Sequence, residues 1–247
     1  MRQYEAVIQA MRENGGYATL GHLYRTATKI EGSNWEGTKT PFASIRRIVQ
    51  IYPHHFFRIR PGLWGLTAEK ERVIELFDLA GKPSRDKVEE FDHSYYQGLL
   101  LEIGKLEGYK TFVPHQDKNR PFLTRKLSDI STLKQFPEFT YTHLLKRGRT
   151  VDVAWFNERT LPYAFFEVEH STDIRNSLQK FAEFRDFRIK FRIVADAARL
   201  RDFKSKLESS IFAPISSEVE FFDYQAIAEW HTAASKLAAL REVARLR

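Results

Sequence analysis

The 247-residue sequence contains no cysteine and no apolar run approaching the length of a membrane-spanning helix. Without thiols there are no disulfides, thiolate metal sites, iron–sulfur clusters or cysteine nucleophiles, so any bound metal must rest on oxygen or imidazole. Without a run of about 18 apolar residues no helix can span a bilayer, and residues 1–20 lack the apolar segment of a signal peptide. A soluble, cytoplasmic protein with no membrane partner is expected.

Of what is present, 43% hydrophobic and 14% aromatic residues suffice for a substantial core, in one large domain or two small ones. The net charge of +7 and pI near 9.5 favour a polyanionic partner. The charge is unevenly spread. Residues 1–67 carry nine Lys/Arg against four Asp/Glu, residues 68–92 five against eight, and residues 93–247 twenty-five against twenty. The acidic stretch, with a short amphipathic helix in AEKERVIELFDLA and a polar turn in GKPSRDK, is the expected connector between domains 1–67 and 93–247.

In the first block, Tyr4, Val7, Ile8 and Met11 share a helical face that stops at Gly15-Gly16. YATLGHLYRTATKI reads as a second helix and EGSNWEGTK as a polar loop. A third helix follows, with Thr40 as its cap and Pro41 in its first position. Its Phe42, Ile45, Ile48, Val49 and Tyr52 form the expected buried face, leaving Ser44, Arg46, Arg47 and Gln50 outward. HHFFRIRPGLWGL gives two short strands about Arg60-Pro61-Gly62-Leu63. Three helices followed by a hairpin is the winged-helix plan.

The stretch TKTPFASIRRIVQIYPHHFFRIRPGLWGLT resembles the closing half of the HARE-HTH winged-helix family, through Thr40, Pro41, Phe57, Gly62, Trp64 and Leu66. That resemblance, over about a quarter of the chain, implies association with DNA. Thr40, Ser44, Arg46, Arg47 and Gln50 are the candidate contacts to bases or phosphates, with Arg58 and Arg60 on the wing reaching the backbone. The competing reading is a solvated face on a protein-interaction module.

The second block reads as helix, strand, long polar loop, two strands, helix, strand, helix, strand and closing helix. Within it, YAFFEVEHSTDI sets Glu167 and Glu169 in a strand otherwise suited to burial. Residues two apart share a strand face, so both carboxylates point the same way. A hairpin centred between Arg159 and Thr160 would set Asp152 opposite Glu167. Like charges so placed are destabilising unless a cation bridges them. Three convergent carboxylates suit a hard ion such as Mg²⁺ better than zinc. His170 reads as a hydrogen-bonding residue at the strand end, and His115 to Arg120 as a solvated loop placed where it could touch DNA.

The order of elements over residues 93–225 resembles the PD-(D/E)XK nuclease superfamily, and QGLLLEIGKLEGYKTFVP, TVDVAWF and FFEVEHSTDI resemble a group of restriction endonucleases. The fold implied is α/β: a restriction-endonuclease-like mixed-sheet core flanked by helices, behind an N-terminal winged helix. By the motif, Asp152 and Glu167 are the metal ligands, Glu169 stands where most members have lysine, and Val151 replaces the motif proline. Glu102 on the first helix would be the fold's usual additional acid, and the missing positive charge could come from Lys180, which periodicity does not separate from Gln179. The resemblance implies a Mg²⁺-dependent endonuclease of restriction type, with Mn²⁺ expected to substitute. It would act on double-stranded DNA as a homodimer, with a cognate DNA methyltransferase as a further partner. The alternatives are a non-catalytic DNA-binding regulator on a degenerate core, or a transposition-related or RNA-directed nuclease.

Overall fold

A computed structural model describes residues 1–35 and 37–245; Glu36, within the expected polar loop, lies outside the described residues. The chain divides into two compact units, one of residues 1–87 together with those from Ala228 onward, the other of Val88–Ile227. The sequence reading groups residues 93–247 as one domain, whereas by compactness the closing helix from Ala228 groups with the first unit.

The first unit opens with α1 (Gln3–Glu13), whose buried Ala6, Val7, Ala10 and Met11 form one face and which ends at the left-handed Gly15 and Gly16. A strand, β1 (Tyr17–Thr19), comes before α2 (Leu20–Thr26), where the sequence pattern alone reads helix from Tyr17. Pairing of β1 with β3 (Leu63–Leu66) supplies backbone partners that local propensity cannot foresee, and Thr19 then caps α2 by accepting from the His22 amide at 3.2 Å. After α3 (Pro41–Ile51), β2 (Phe56–Arg60) completes a three-stranded antiparallel sheet of order β1-β3-β2. Pro41 opens α3 as expected, but the Thr40 side chain makes no capping bond; its carbonyl instead accepts from the Ser44 amide at 3.1 Å. Ile45, Ile48 and Val49 are buried, while Tyr52, expected inside, is 39% exposed. The short α4 (Lys70–Leu76) follows.

The second unit is built on a five-stranded mixed sheet. Its strands are β4 (Lys110–Phe112), β7 (Val153–Phe156), β8 (Pro162–Glu169), β9 (Lys190–Ala195) and β10 (Val219–Asp223), in the order β10-β9-β8-β7-β4. β7 runs antiparallel to its neighbours β4 and β8, and β8, β9 and β10 are parallel, joined through α8 (Ile174–Ala182) and α9 (Leu200–Leu207). One sheet face, with Ala154, Phe165, Phe191 and Ile193, packs on Ile174, Leu178 and Phe181 of α8 and Phe203 of α9. On the other face the Trp155 indole donates to the Leu100 carbonyl of α5 (Arg85–Leu106) at 3.1 Å. The polar stretch after β4 is not structureless. It holds β5 (Pro121–Phe122), β6 (Arg125–Lys126), α6 (Leu127–Ile130) and α7 (Thr142–Gly148), pinned by buried Phe122, Leu127, Ile130, Phe136, Leu144 and Leu145. These apolar residues are too scattered to show a period, yet each finds a place in the core.

The last helix, α10 (Tyr224–Arg245), buries Ala228, His231, Ser235 and Ala239 at helical spacing. A Cβ on Gly21 of α2 would come within 2.3 Å of the Ser235 hydroxyl and 2.9 Å of the His231 ring. Gly21 is thus the residue that lets α2 and α10 approach so closely. No described helix is long and apolar enough to cross a membrane.

Candidate active site

β8 pairs with β7 through Val153↔Phe166, Ala154↔Phe165 and Trp155↔Ala164. That is the register expected from the sequence, and continued by one residue it sets Asp152 opposite Glu167. The hairpin is asymmetric only near its tip, where the register shifts between Trp155 and Phe156 and Thr160 adopts φ 65°. Glu167 and Glu169 extend the row begun by Phe165, so the face that is apolar along the sheet turns acidic at one end.

Asp152, Glu167 and Glu169 are 9%, 4% and 5% exposed and line one cleft of about 380 Å³. Asp152 Oδ2 accepts from the Val168 amide at 2.8 Å, which locks the carboxylate to β8. Lys180 reaches over from α8, its Nζ 2.7 Å from each oxygen of Glu167 and 2.8 Å from the Thr150 carbonyl. Its neighbour Gln179 is exposed, so packing resolves the choice that helical periodicity leaves open. Ser177, one turn earlier, is within reach of both glutamates: 3.3 Å from Glu167 Oε2 and hydrogen-bonded to Glu169, which also accepts from Thr172. With one hydroxyl proton, Ser177 can donate to only one carboxylate at a time.

The other wall comes from α5 and the loop after β4. His93 Nε2 lies 3.8 Å from both Asp152 Oδ1 and Asp117 Oδ2. Gln97, four residues along the same helix face, donates to Asp117 Oδ2 at 2.9 Å and to the Asp152 carbonyl at 3.1 Å. Arg120 Nε holds the other oxygen of Asp117 at 2.8 Å. Asp117 and His93 are the residues that sequence reasoning missed: Asp117 is 2% exposed, in a stretch expected to be a solvated loop. Neither carries a local signal, since nothing in HQDKNR separates the one buried acid from its exposed neighbours.

Glu102 is not brought to this cleft. It pairs with Arg125, and nine residues along α5 from His93 put it roughly 13 Å further along the helix axis. The DNA-contact candidates all lie in the first unit. Thr40, Arg46, Arg47, Gln50 and Arg58 are exposed, while Ser44 and Arg60 are half-buried. Arg46 is 3.8 Å from Glu229 of α10, and Arg60 donates to the Ile59 carbonyl at 2.9 Å.

Burial, and then the charge of Asp152, push the Glu167 carboxyl well above the ordinary glutamate range against the pull of Lys180. Burial likewise raises Asp152, opposed by His93 and Lys180, and raises Glu169, opposed by its bond from Ser177. For Asp117, burial is outweighed by the neighbouring His93, the hydrogen bond from Gln97 and the charge of Arg120, and its pKa falls. His93 moves the opposite way: burial disfavours its charge, but Asp117 and Asp152 prevail and raise its pKa. His170 is lowered to about 4 by burial and by His93, so it is neutral at physiological pH. As expected of a strand-end residue, its Nδ1 is hydrogen-bonded to the Tyr224 hydroxyl at 2.6 Å.

The cleft therefore concentrates buried carboxylates around a single lysine. His93, Asp117 and Asp152 can each offer a ligand atom, all within 4.8 Å of one another, the spacing of a metal-binding group.

Residues 79–244 match the family described as the Type II restriction enzyme NmeDI C-terminal domain, a span that includes every residue lining the cleft and leaves the α3 face outside. A curated relative, the Type II restriction enzyme NmeDI of Neisseria meningitidis serogroup C, is 24% identical over 172 residues, covering 64% of this chain and 48% of the relative. The chain thus spans about half the length of that relative. No solved structure matches. With more than half of its length matched, this chain belongs to the Type II restriction enzyme NmeDI C-terminal domain family.

Proposed function

We propose that the chain is a metal-dependent endonuclease of restriction type that hydrolyses phosphodiester bonds of double-stranded DNA at the Asp152–Glu167–Glu169 cleft. The observation that carries this reading is electrostatic. Three carboxylates, each less than a tenth exposed, line one cleft in which the Lys180 ammonium is paired with Glu167. A core strand has no structural use for such repulsion, whereas a divalent cation would relieve it.

The donor set fits a hard cation: Asp152 and Glu167 would hold Mg²⁺, or Mn²⁺ in its place, with His93 and Asp117 each offering a ligand atom within 4.8 Å of one on Asp152. Such an ion, when bound, supplies charge stabilisation at the phosphate and makes a water more acidic. The remaining roles belong to the chain. Glu169, anchored by Ser177 and Thr172, is oriented to accept a proton from the attacking water. Lys180 stands in for the lysine that most superfamily members carry where this chain has Glu169. Its Nζ is held at 2.8 Å by the Thr150 carbonyl, which aims its charge into the cleft. His93, where α5 meets Asp152, takes the helix position that the sequence reading gave to Glu102.

The first unit, with its α1-β1-α2-α3-β2-β3 order, supports the winged-helix reading. In it Arg46, Arg47 and Gln50 of α3, flanked by Thr40 and Ser44, contact DNA, and Arg58 and Arg60 reach the backbone. One cleft per chain suits a homodimer that cuts both strands, and a restriction role calls for a methyltransferase that protects host DNA.

The test is incubation of purified protein with methylated and unmethylated DNAs in Mg²⁺, Mn²⁺ or EDTA. Metal-dependent cutting lost in Asp152→Ala supports the reading; binding without cutting by any metal would move the chain to the regulator reading.

A further inference from the structure

The second unit holds another cavity, larger than the acidic cleft and opposite to it in character. Its volume is about 640 Å³, within the range of small-molecule sites and well beyond what a lone inorganic anion needs. Its floor is apolar, built from Phe112, Val113, Leu133 and Phe136. Around that floor stand Lys118, Lys134, Arg149 and His115, with Asn119 and Gln135 offering amides that both donate and accept. Among the described residues no Asp or Glu lines it, although Arg149 also lies 3.9 Å from the exposed Glu138.

The walls are fixed by main-chain bonds. The Asp117 and Lys118 amides donate to the Pro114 carbonyl at 3.0 and 3.1 Å, and the Lys118 carbonyl accepts from the Ser128 amide at 2.9 Å. Opposite, the amides of Thr132 and Leu133 both donate to the Thr111 carbonyl, at 3.1 and 2.9 Å. One short loop therefore serves two sites. Arg120 lines the acidic cleft and is held by Asp117, which is buried behind it beside His93, while His115, Lys118 and Asn119 line the basic cavity.

We propose that this cavity receives a single nucleotide, its base over the Phe112–Leu133–Phe136 floor and its phosphate among Lys118, Lys134 and Arg149. Each part of the lining answers a part of that ligand. A flat heteroaromatic ring covers the apolar floor, the amides of Asn119 and Gln135 match the paired donors and acceptors of a base edge, and the cations match the phosphate. The shared loop explains the location: a strand with one phosphate at the cleft carries a neighbouring nucleotide toward the cavity. Unstacking a base into such a pocket carries an energetic cost in a duplex and none in a free nucleotide. Those are the two sources the ligand could have.

The test uses the full chain in EDTA, so it does not depend on cleavage. Titrations compare dAMP, dCMP, dGMP and dTMP with inorganic phosphate and with the matching nucleosides. At least one mononucleotide should bind roughly tenfold more tightly than both phosphate and its own nucleoside. Lys118→Ala/Lys134→Ala should abolish that margin with an unchanged melting temperature, because Lys134 is exposed and Lys118 half-exposed. Leu133→Glu, a second route that places a carboxylate in the floor, should do the same. Single-stranded tetranucleotides of the preferred base distinguish the sources. Tighter binding than the mononucleotide points to a strand, weaker binding to a free nucleotide. Phosphate binding as well as any nucleotide, or nucleotide binding unaltered in both variants, overturns the proposal. DNA left uncut in Mg²⁺ while mononucleotides still bind would instead remove the cleavage reading and leave this one standing.

Discussion

The acidic cleft and the basic face of α3 both present clustered charge, but the two clusters are informative for opposite reasons. Asp152, Glu167 and Glu169 are buried, where an unpaired charge costs several kcal/mol, so their mere presence asks for a cation. Arg46, Arg47 and Gln50 are exposed, where charge costs almost nothing and many partners, or none, would be compatible with it. The family match follows the same division: residues 79–244 take in the whole cleft and stop short of α3. Burial converts charge into evidence, and exposure leaves it as a surface whose partner must be found by experiment.

The sharpest way to break the comparison is at the cleft. Asp152→Ala or Glu167→Ala should lower Mg²⁺-dependent cleavage by about 10³-fold or more, with DNA affinity changed by less than about threefold. Cleavage and filter-binding assays on the same preparations check this, and undiminished cutting by either variant would remove the site.

Next in size is the ion pair. Lys180→Met leaves Glu167 buried without its ammonium, and should cost roughly 3 kcal/mol of stability near pH 8. The sign of the pH dependence follows from the raised pKa of Glu167. The folded state binds that proton more tightly than the unfolded one, so the stability contribution is present below the ordinary glutamate range and lost as pH rises through the folded value. Denaturant melts in EDTA should therefore show the variant nearest to wild type at about pH 5 and furthest from it at about pH 8. A deficit independent of pH would mean that Lys180 acts by packing alone.

A smaller effect, opposite in sign, is expected at Glu169. Glu169→Gln removes one like charge while keeping an acceptor for Ser177, so the melting temperature in EDTA should rise by a few degrees. Added Mg²⁺ should then stabilise the wild type more than the variant. A clear drop in EDTA would assign Glu169 to a structural role.

The smallest effect belongs to the exposed face. Arg46→Ala/Arg47→Ala should weaken DNA binding and flatten its dependence on log salt by about 0.9 for each phosphate no longer neutralised. The change should amount to less than two full phosphates, because Arg46 is already within 3.8 Å of Glu229. An unchanged salt slope would make α3 a protein-interaction surface.

How much of this was legible in the sequence depends on the range of the interaction concerned. Strand periodicity and a hairpin register are local: a period of two puts Glu167 and Glu169 on one face, and a turn near Arg159 and Thr160 puts Asp152 across from Glu167. The order of helices and strands in the second unit is equally local, because apolar spacing along each segment reports which face will be buried. By itself, then, the sequence determined that a mixed α/β core would carry three acids together on one face of a hairpin. Tertiary structure decided what meets them. Lys180 rather than Gln179 points at Glu167 because α8 packs Leu178 and Phe181 inward and rotates its neighbours accordingly. Asp117 is buried beside His93 because Gln97 and Arg120 receive it, Glu102 stays outside the cleft because α5 runs past the site, and β1 forms because β3 lies beside it. Each of these depends on interactions between residues far apart in the chain, and such interactions leave no period, cap or turn in the local sequence.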